Sequence, residues 1–159
     1  MKKKTKIILA ILAVVLVFCL WYTRPRSFEE LAGDGCITSV SIAAGIAENR
    51  NGEAYTHAWI VDSNEGRDYV NSGIEDILKS CKYRVSLRSL LPFPSSYSIS
   101  GKNDIIFITI MADMEDGSSF CGGYYGATAR LEFDKTVMVQ ATDKDISEKL
   151  LAYAQEFGW

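Results

Sequence analysis

The sequence predicts an α+β fold: an antiparallel sheet of about five strands with two helices packed on one face, preceded by an N-terminal transmembrane helix. Three observations predict it. A charge-free apolar run, Ile7 to Tyr22, follows the cluster Lys2, Lys3, Lys4 and Lys6. Several later stretches alternate apolar and polar residues with the period of a half-buried strand. Two others repeat apolar residues at helical spacing, one among the strands and one after them, as helices laid against an antiparallel sheet would.

As a helix, the apolar run spans about 24 Å at about 1.5 Å per residue, against a hydrocarbon layer about 30 Å thick. Lys6 can snorkel at one end, and Trp21 and Tyr22 suit the headgroup layer at the other. Four lysines before the run, against Arg24 and Arg26 after it, favour a cytoplasmic amino terminus. The chain then divides into a cytoplasmic tail (1–6), a transmembrane or signal anchor (7–22), a linker (23–27) and an extracytoplasmic α+β domain (28–159), giving a single-pass protein of the cell membrane. A cleaved signal shares the charged start but needs small residues before the cut, where this chain has Phe18-Cys19-Leu20-Trp21. A third reading is lipid attachment at Cys19. All three leave the domain outside the cytoplasm.

Within the domain, "SFEELAGDG" predicts one helical turn, with Ser27 and Glu30 as a capping box and Phe28 and Leu31 turned inward. "CITSVSIAAGIAENRNGEAYTHAWIVDS" predicts a hairpin turning at Asn51-Gly52. Its return strand sets Tyr55, His57, Trp59 and Val61 on one face. "SGIEDILKSCKY" predicts a helix capped by Ser72 and Glu75, with Ile74, Ile77, Leu78 and Cys81 inward. "YRVSL" is a possible strand, and Pro92 and Pro94 enforce an extended crossing after it. Ile105 to Met111 predicts a central strand, Asp116-Gly117 a turn, and Tyr125 to Phe133 a strand with one wet face. Asp134-Lys135 turns into a last strand, "TVMVQA". A final helix starts at Asp145 and buries Ile146, Leu150, Tyr153, Ala154 and Phe157.

Charge narrows the partners. Six of the 17 basic residues and none of the 20 acidic ones lie in the first 26 positions, so residues 27–159 hold 11 basic and 20 acidic residues and stand at −9. Such a domain repels phosphate backbones and disfavours nucleic acid. It suits solubility outside the cell, or a cation-rich partner. Cys36, Cys81 and Cys121 lie beyond the anchor with no C-x-x-C spacing, so no zinc knuckle or redox motif is indicated, and at most one disulfide forms, with Cys36–Cys121 the expected pair.

No catalytic or metal-ligating set emerges, and no cofactor is indicated. His57 is the one histidine. No G-x-S-x-G is present, and "ADMEDGSSF" departs from the calcium-loop template, so Asp113, Glu115 and Asp116 read as a solvated turn. "CGGYYG" lacks the spacing and lysine of a phosphate loop and reads as a bulge or bend. The candidate binding residues are Tyr55, His57, Trp59, Tyr124 and Tyr125, aromatics beside bare glycine backbone.

With these residues in view, the layout resembles small uncharacterised exported proteins of Gram-positive bacteria. The likeness rests on Phe28 to Leu31 as an F-x-x-L element, on Ile37, Val40 and Ile42 as an I-x-x-V-x-I strand, on the helix "IEDILKSCKY" and on the later "DG" hairpin. Leu16-Val17-Phe18-Cys19 is similar to a lipobox but departs at Phe18. The resemblance implies no activity and no site residues. The expected function is non-catalytic binding of a protein or peptide at the cell surface. The alternatives are an immunity or inhibitor protein against a secreted toxin or protease, and an unfamiliar hydrolase using Cys121 or a carboxylate pair.

Overall fold

The computed structural model of the 159-residue chain describes residues 3–33, 35–50, 53–63, 68–87, 105–125, 128–133 and 136–158. Helix α1, Lys3–Tyr22, begins before the apolar run and carries Lys4 and Lys6 on its first turn. Its 20 residues make about 30 Å, the thickness of a hydrocarbon layer. It is long and apolar enough to cross a membrane, and none of Lys4–Tyr22 counts as buried. The helix ends where the Thr23 N–H and hydroxyl both donate to the Cys19 carbonyl, at 3.0 and 2.8 Å.

Only residues 23 and 24 separate α1 from β1, Pro25–Arg26. The Arg26 guanidinium lies 5.7 and 5.9 Å from the ring centres of Trp21 and Tyr22, folding the joint back on the helix end. Helix α2, Glu29–Ala32, follows. The Glu30 N–H donates to Ser27 Oγ at 3.2 Å, half of the expected box, and Phe28 drops into the core.

Strands β2, Ile37–Arg50, and β3, Glu53–Asp62, form the expected hairpin, paired from Arg50↔Glu53 to Ser41↔Asp62. The turn residues Asn51-Gly52 lie outside the described residues. Helix α3, Asp68–Ser80, starts four residues before Ser72, which corrects the expected cap. Val70 stands four residues before Ile74 and extends the buried stripe backwards. Ser72 Oγ donates to the Tyr69 carbonyl instead, and Glu75 reaches across to accept the Ile37 N–H at 3.3 Å while pairing with Lys79 at 2.7 Å.

Strands β4 (Tyr83–Val85), β5 (Ile105–Met114), β6 (Ser119–Tyr125), β7 (Thr128–Glu132) and β8 (Thr136–Ala141) precede helix α4, Ile146–Phe157. At its start the Asp145 N–H donates to Asp143 Oδ1 at 3.0 Å, while the Asp145 side chain makes no cap. The prolines Pro92 and Pro94 and the turn Asp134-Lys135 lie outside the described residues.

Among the described residues eight strands form one sheet in the order β1-β4-β8-β7-β6-β5-β2-β3, with every neighbouring pair antiparallel. Eight strands replace the expected five for two reasons. β1 and β4 are too short to display an alternation. β6 is a full strand where glycines suggested a bend: Phe120, Gly122 and Tyr124 alternate inward, and the rings of Phe120 and Tyr124 crowd the place where a side chain on Gly122 would stand.

Burial alternates across the sheet. Val40, Ile42, Ala44, Ile108, Ile110, Phe120, Tyr124, Ala129, Leu131 and Val139 are buried, and their neighbours along each strand face outward. Helix α3 adds Val70, Ile74 and Leu78 to this core, and α4 adds Ile146, Leu150, Leu151 and Ala154. α3 touches β2, α4 touches β2, β3 and β5, and the two helices touch each other.

Candidate functional site

The outward face of the sheet carries its polar side chains in cross-strand rows. One row runs Ser39, Asp113, Ser119 across β2, β5 and β6. The next runs Ser41, Met111, Cys121, Glu132 and on to β8, and the third runs Ile60, Ala43, Thr109, Gly123, Arg130. The first two rows line an open groove of about 510 Å³, with Phe133 also in its lining.

Within the groove, Asp113 accepts Ser39 Oγ at 2.8 Å and Ser119 Oγ at 3.1 Å, so both carboxylate oxygens are engaged. Arg130 pairs with Glu132 two residues along β7. Partial burial and the Glu132 carboxylate push the Cys121 thiol up, with Arg130 pulling the other way. The thiol therefore stays protonated at neutral pH, which makes it a poor nucleophile. Met111 within the groove, and Ile60 and Tyr125 outside it, leave much of their apolar surface exposed on this face.

The Asp116-Gly117 turn closes β5 to β6. Asp116 Oδ1 accepts both the Ser118 N–H at 2.9 Å and its hydroxyl at 2.6 Å, which holds the carboxyl below its ordinary range. Gly117 supplies the positive φ of 83° that this turn requires. Among the described residues, no group of three or more His, Cys, Asp and Glu side chains converges as a metal site would.

The five aromatic and histidine candidates are not brought to one place. Tyr55, His57 and Trp59 share one face of β3, with Tyr55 and His57 exposed and Trp59 half-buried. Tyr124 is buried in the core, its hydroxyl 3.5 Å from that of Tyr83, and burial pushes both phenols far up. Tyr125 points to the opposite, outward face. His57 and Cys121 stand on opposite faces with β2 and β5 between their strands, roughly 14 Å apart across the strands and roughly 17 Å apart along them.

The cysteines are free thiols: Cys19 on α1, Cys36 exposed, Cys81 buried and Cys121 in the groove. The Cys36 carbonyl accepts from Glu115, whereas Cys121 stands opposite Met111, four residues along the same strand. That offset of roughly 13 Å exceeds the reach of a disulfide. Cys81 instead accepts the Asp143 N–H at 3.4 Å.

Sequence reasoning did not assemble the groove. The alternation in "TSVSIA" put Ser39 and Ser41 on a wet face, but nothing local says that Met111, Cys121 and Glu132 come to lie beside them. No protein-family model matches the chain, and no curated protein or solved structure matches it.

Proposed function

We propose that the chain is a membrane-tethered extracytoplasmic domain that binds a protein or peptide at the cell surface without catalysis. Helix α1 is the tether, its amino terminus cytoplasmic by the lysine balance. In this reading α3 and α4 together cover one face of the sheet and leave the other to a partner. The observation that carries it is the outward face itself, where Met111 (59% exposed) stands among serines and carboxylates and Ile60 and Tyr125 are exposed farther along the same face. Exposed apolar side chains grouped within a polar rim mark interaction surfaces. A non-catalytic role is supported by the raised Cys121 thiol and by its separation from His57.

Two measurements test the reading. A reporter fused to the carboxyl end should work only outside the cytoplasm, and protease added to intact cells should leave a short membrane-bound stub. A photo-crosslinking residue at Met111 should capture a polypeptide in cells. A domain protected until lysis overturns the topology, and no adduct at Met111 overturns the binding face.

A further inference from the structure

We propose that the β1–β4 corner of the domain docks on the headgroup layer of the membrane that holds α1, with Lys82 and Arg84 meeting anionic phospholipid and Leu87 entering the apolar boundary. The inference rests on the tethered reading and adds a lipid contact that the tether itself does not require.

The joint places the corner. Tyr22 ends α1 and Pro25 opens β1, so their Cα atoms stand at most about 11 Å apart. Pro25 lies opposite Arg84 and Arg26 opposite Tyr83. An antiparallel partner about 5 Å away keeps Arg84 close to the helix end as well. The pairing also sets a direction. β4 runs from Tyr83 towards the side on which Thr23 and Arg24 enter, and Leu87 lies two residues beyond its end. Each headgroup layer is about 5–7 Å deep, and charges act across about 8 Å in physiological salt. Arg26, held over Trp21 and Tyr22, fixes the corner to the helix end.

The side chains at this corner suit that layer. Leu87 is 45% exposed, and Lys82 and Arg84 are exposed. Arg84 stands in a cross-strand row with Pro25, Gln140 and Thr128, none of them acidic. Lys82 lies beside Thr142, whose N–H donates to the Lys82 carbonyl at 2.7 Å. Carboxylates of the neighbouring segments are paired elsewhere: Glu30 with Arg24 at 3.6 Å, Glu29 with Lys79 at 3.1 Å, and Asp143 with Lys149. Among the described residues neither Lys82 nor Arg84 has an ion-pair partner. Residues 27–159 together stand at −9 and are repelled by anionic lipid, so a locally basic corner is the part that can rest there. A basic pair beside an apolar tip is how interfacial anchors are built: the cations are drawn to the phosphates, and the apolar side chain leaves water.

The test uses the full chain in lipid nanodiscs of equal phosphatidylglycerol and phosphatidylcholine, with the photo-crosslinker benzoylphenylalanine in place of Leu87. Mass spectrometry should find phospholipid adducts at that position, phosphatidylglycerol exceeding phosphatidylcholine by about fivefold or more. Lys82→Gln combined with Arg84→Gln should return the ratio to about one while the melting curve stays in place. Salt at about 1 M should do the same to the parent. A parent ratio near one, or a ratio that the double variant leaves unchanged, overturns the docking. The same crosslinker in place of Leu16 separates this inference from the tether. Lipid adducts at position 16 with none at position 87 overturn the docking alone. No lipid adduct at position 16 refutes the tether and the docking with it.

Discussion

Gly122→Ala should destabilise the domain although Gly123→Ala, one residue on, should not. A methyl on Gly122 would stand 2.7 Å from Phe120 Cζ and 3.2 Å from both Phe120 Cε2 and Tyr124 Cε2. Carbon atoms rest at about 3.5–4.0 Å, so the Phe120 ring would have to retreat by nearly 1 Å. It has nowhere to go: its ring is edge-on to Phe28 at 5.4 Å and stacked on Phe133 at 5.1 Å. Overpacking of this kind costs about 1–3 kcal/mol. Removing a strand glycine returns about 0.5–1 kcal/mol of backbone entropy. The balance is a loss of about 1–2 kcal/mol, or about 3–8 °C in melting temperature for a domain of this size. Gly123 faces outward, and its nearest neighbour would be Tyr125 Cε2 at an ordinary 3.7 Å. There the entropy gain stands alone, about 0.5 kcal/mol. Far-UV circular dichroism melts of the full chain in micelles would compare the two. If Gly122→Ala melts at or above Gly123→Ala, the packing account of β6 is wrong.

Three further outcomes are expected. Tyr83→Phe should cost about 1–2 kcal/mol in urea unfolding, because the Tyr83 hydroxyl donates to the Leu78 carbonyl at 3.1 Å inside the core, and Tyr124→Phe should cost less, its contact to Tyr83 being 3.5 Å. Asp143→Asn should lower the melting temperature slightly at pH 7, since Lys149 beside it, with help from the Asp145 N–H, holds the Asp143 carboxyl below its usual range. A depressed carboxyl stabilises above its unfolded pKa and stops doing so as pH falls through the folded one, so the gap between variant and parent should close below pH about 4. Alkylation by iodoacetamide at pH 8 should modify exposed Cys36 first, Cys121 slowly because its thiolate forms only at higher pH, and Cys81 only on unfolding. Glu132→Gln should speed the Cys121 reaction by removing the neighbouring negative charge.

What the sequence disclosed was whatever depends on neighbours along the chain. The apolar run of α1, the alternation of β2, β3 and β7, and the Ser27 turn are local patterns, and they stand in the structure. Ser72-Glu75 looked like a helix start because the spacing matched, yet Glu75 serves Ile37, 38 residues away, a partner no local pattern announces. The glycines of β6 read as a bulge or bend, whereas Gly122 is small because two rings crowd it. The groove was hidden for the same reason: Cys121 meets Met111 and Glu132 only through the register of three strands. That β3 comes last among the described strands is a property of strand order, which no single stretch of the sequence displays.

The joint at Thr23 and Arg24 has a mechanical consequence. Pro25 fixes its own backbone angle, β1 is hydrogen-bonded into the sheet, and Arg26 is clasped over Trp21 and Tyr22. So short a coupling leaves the globule little room to swivel on its stalk. A load applied at the outermost strand would act through the width of the sheet as a lever arm and reach the helix as a torque.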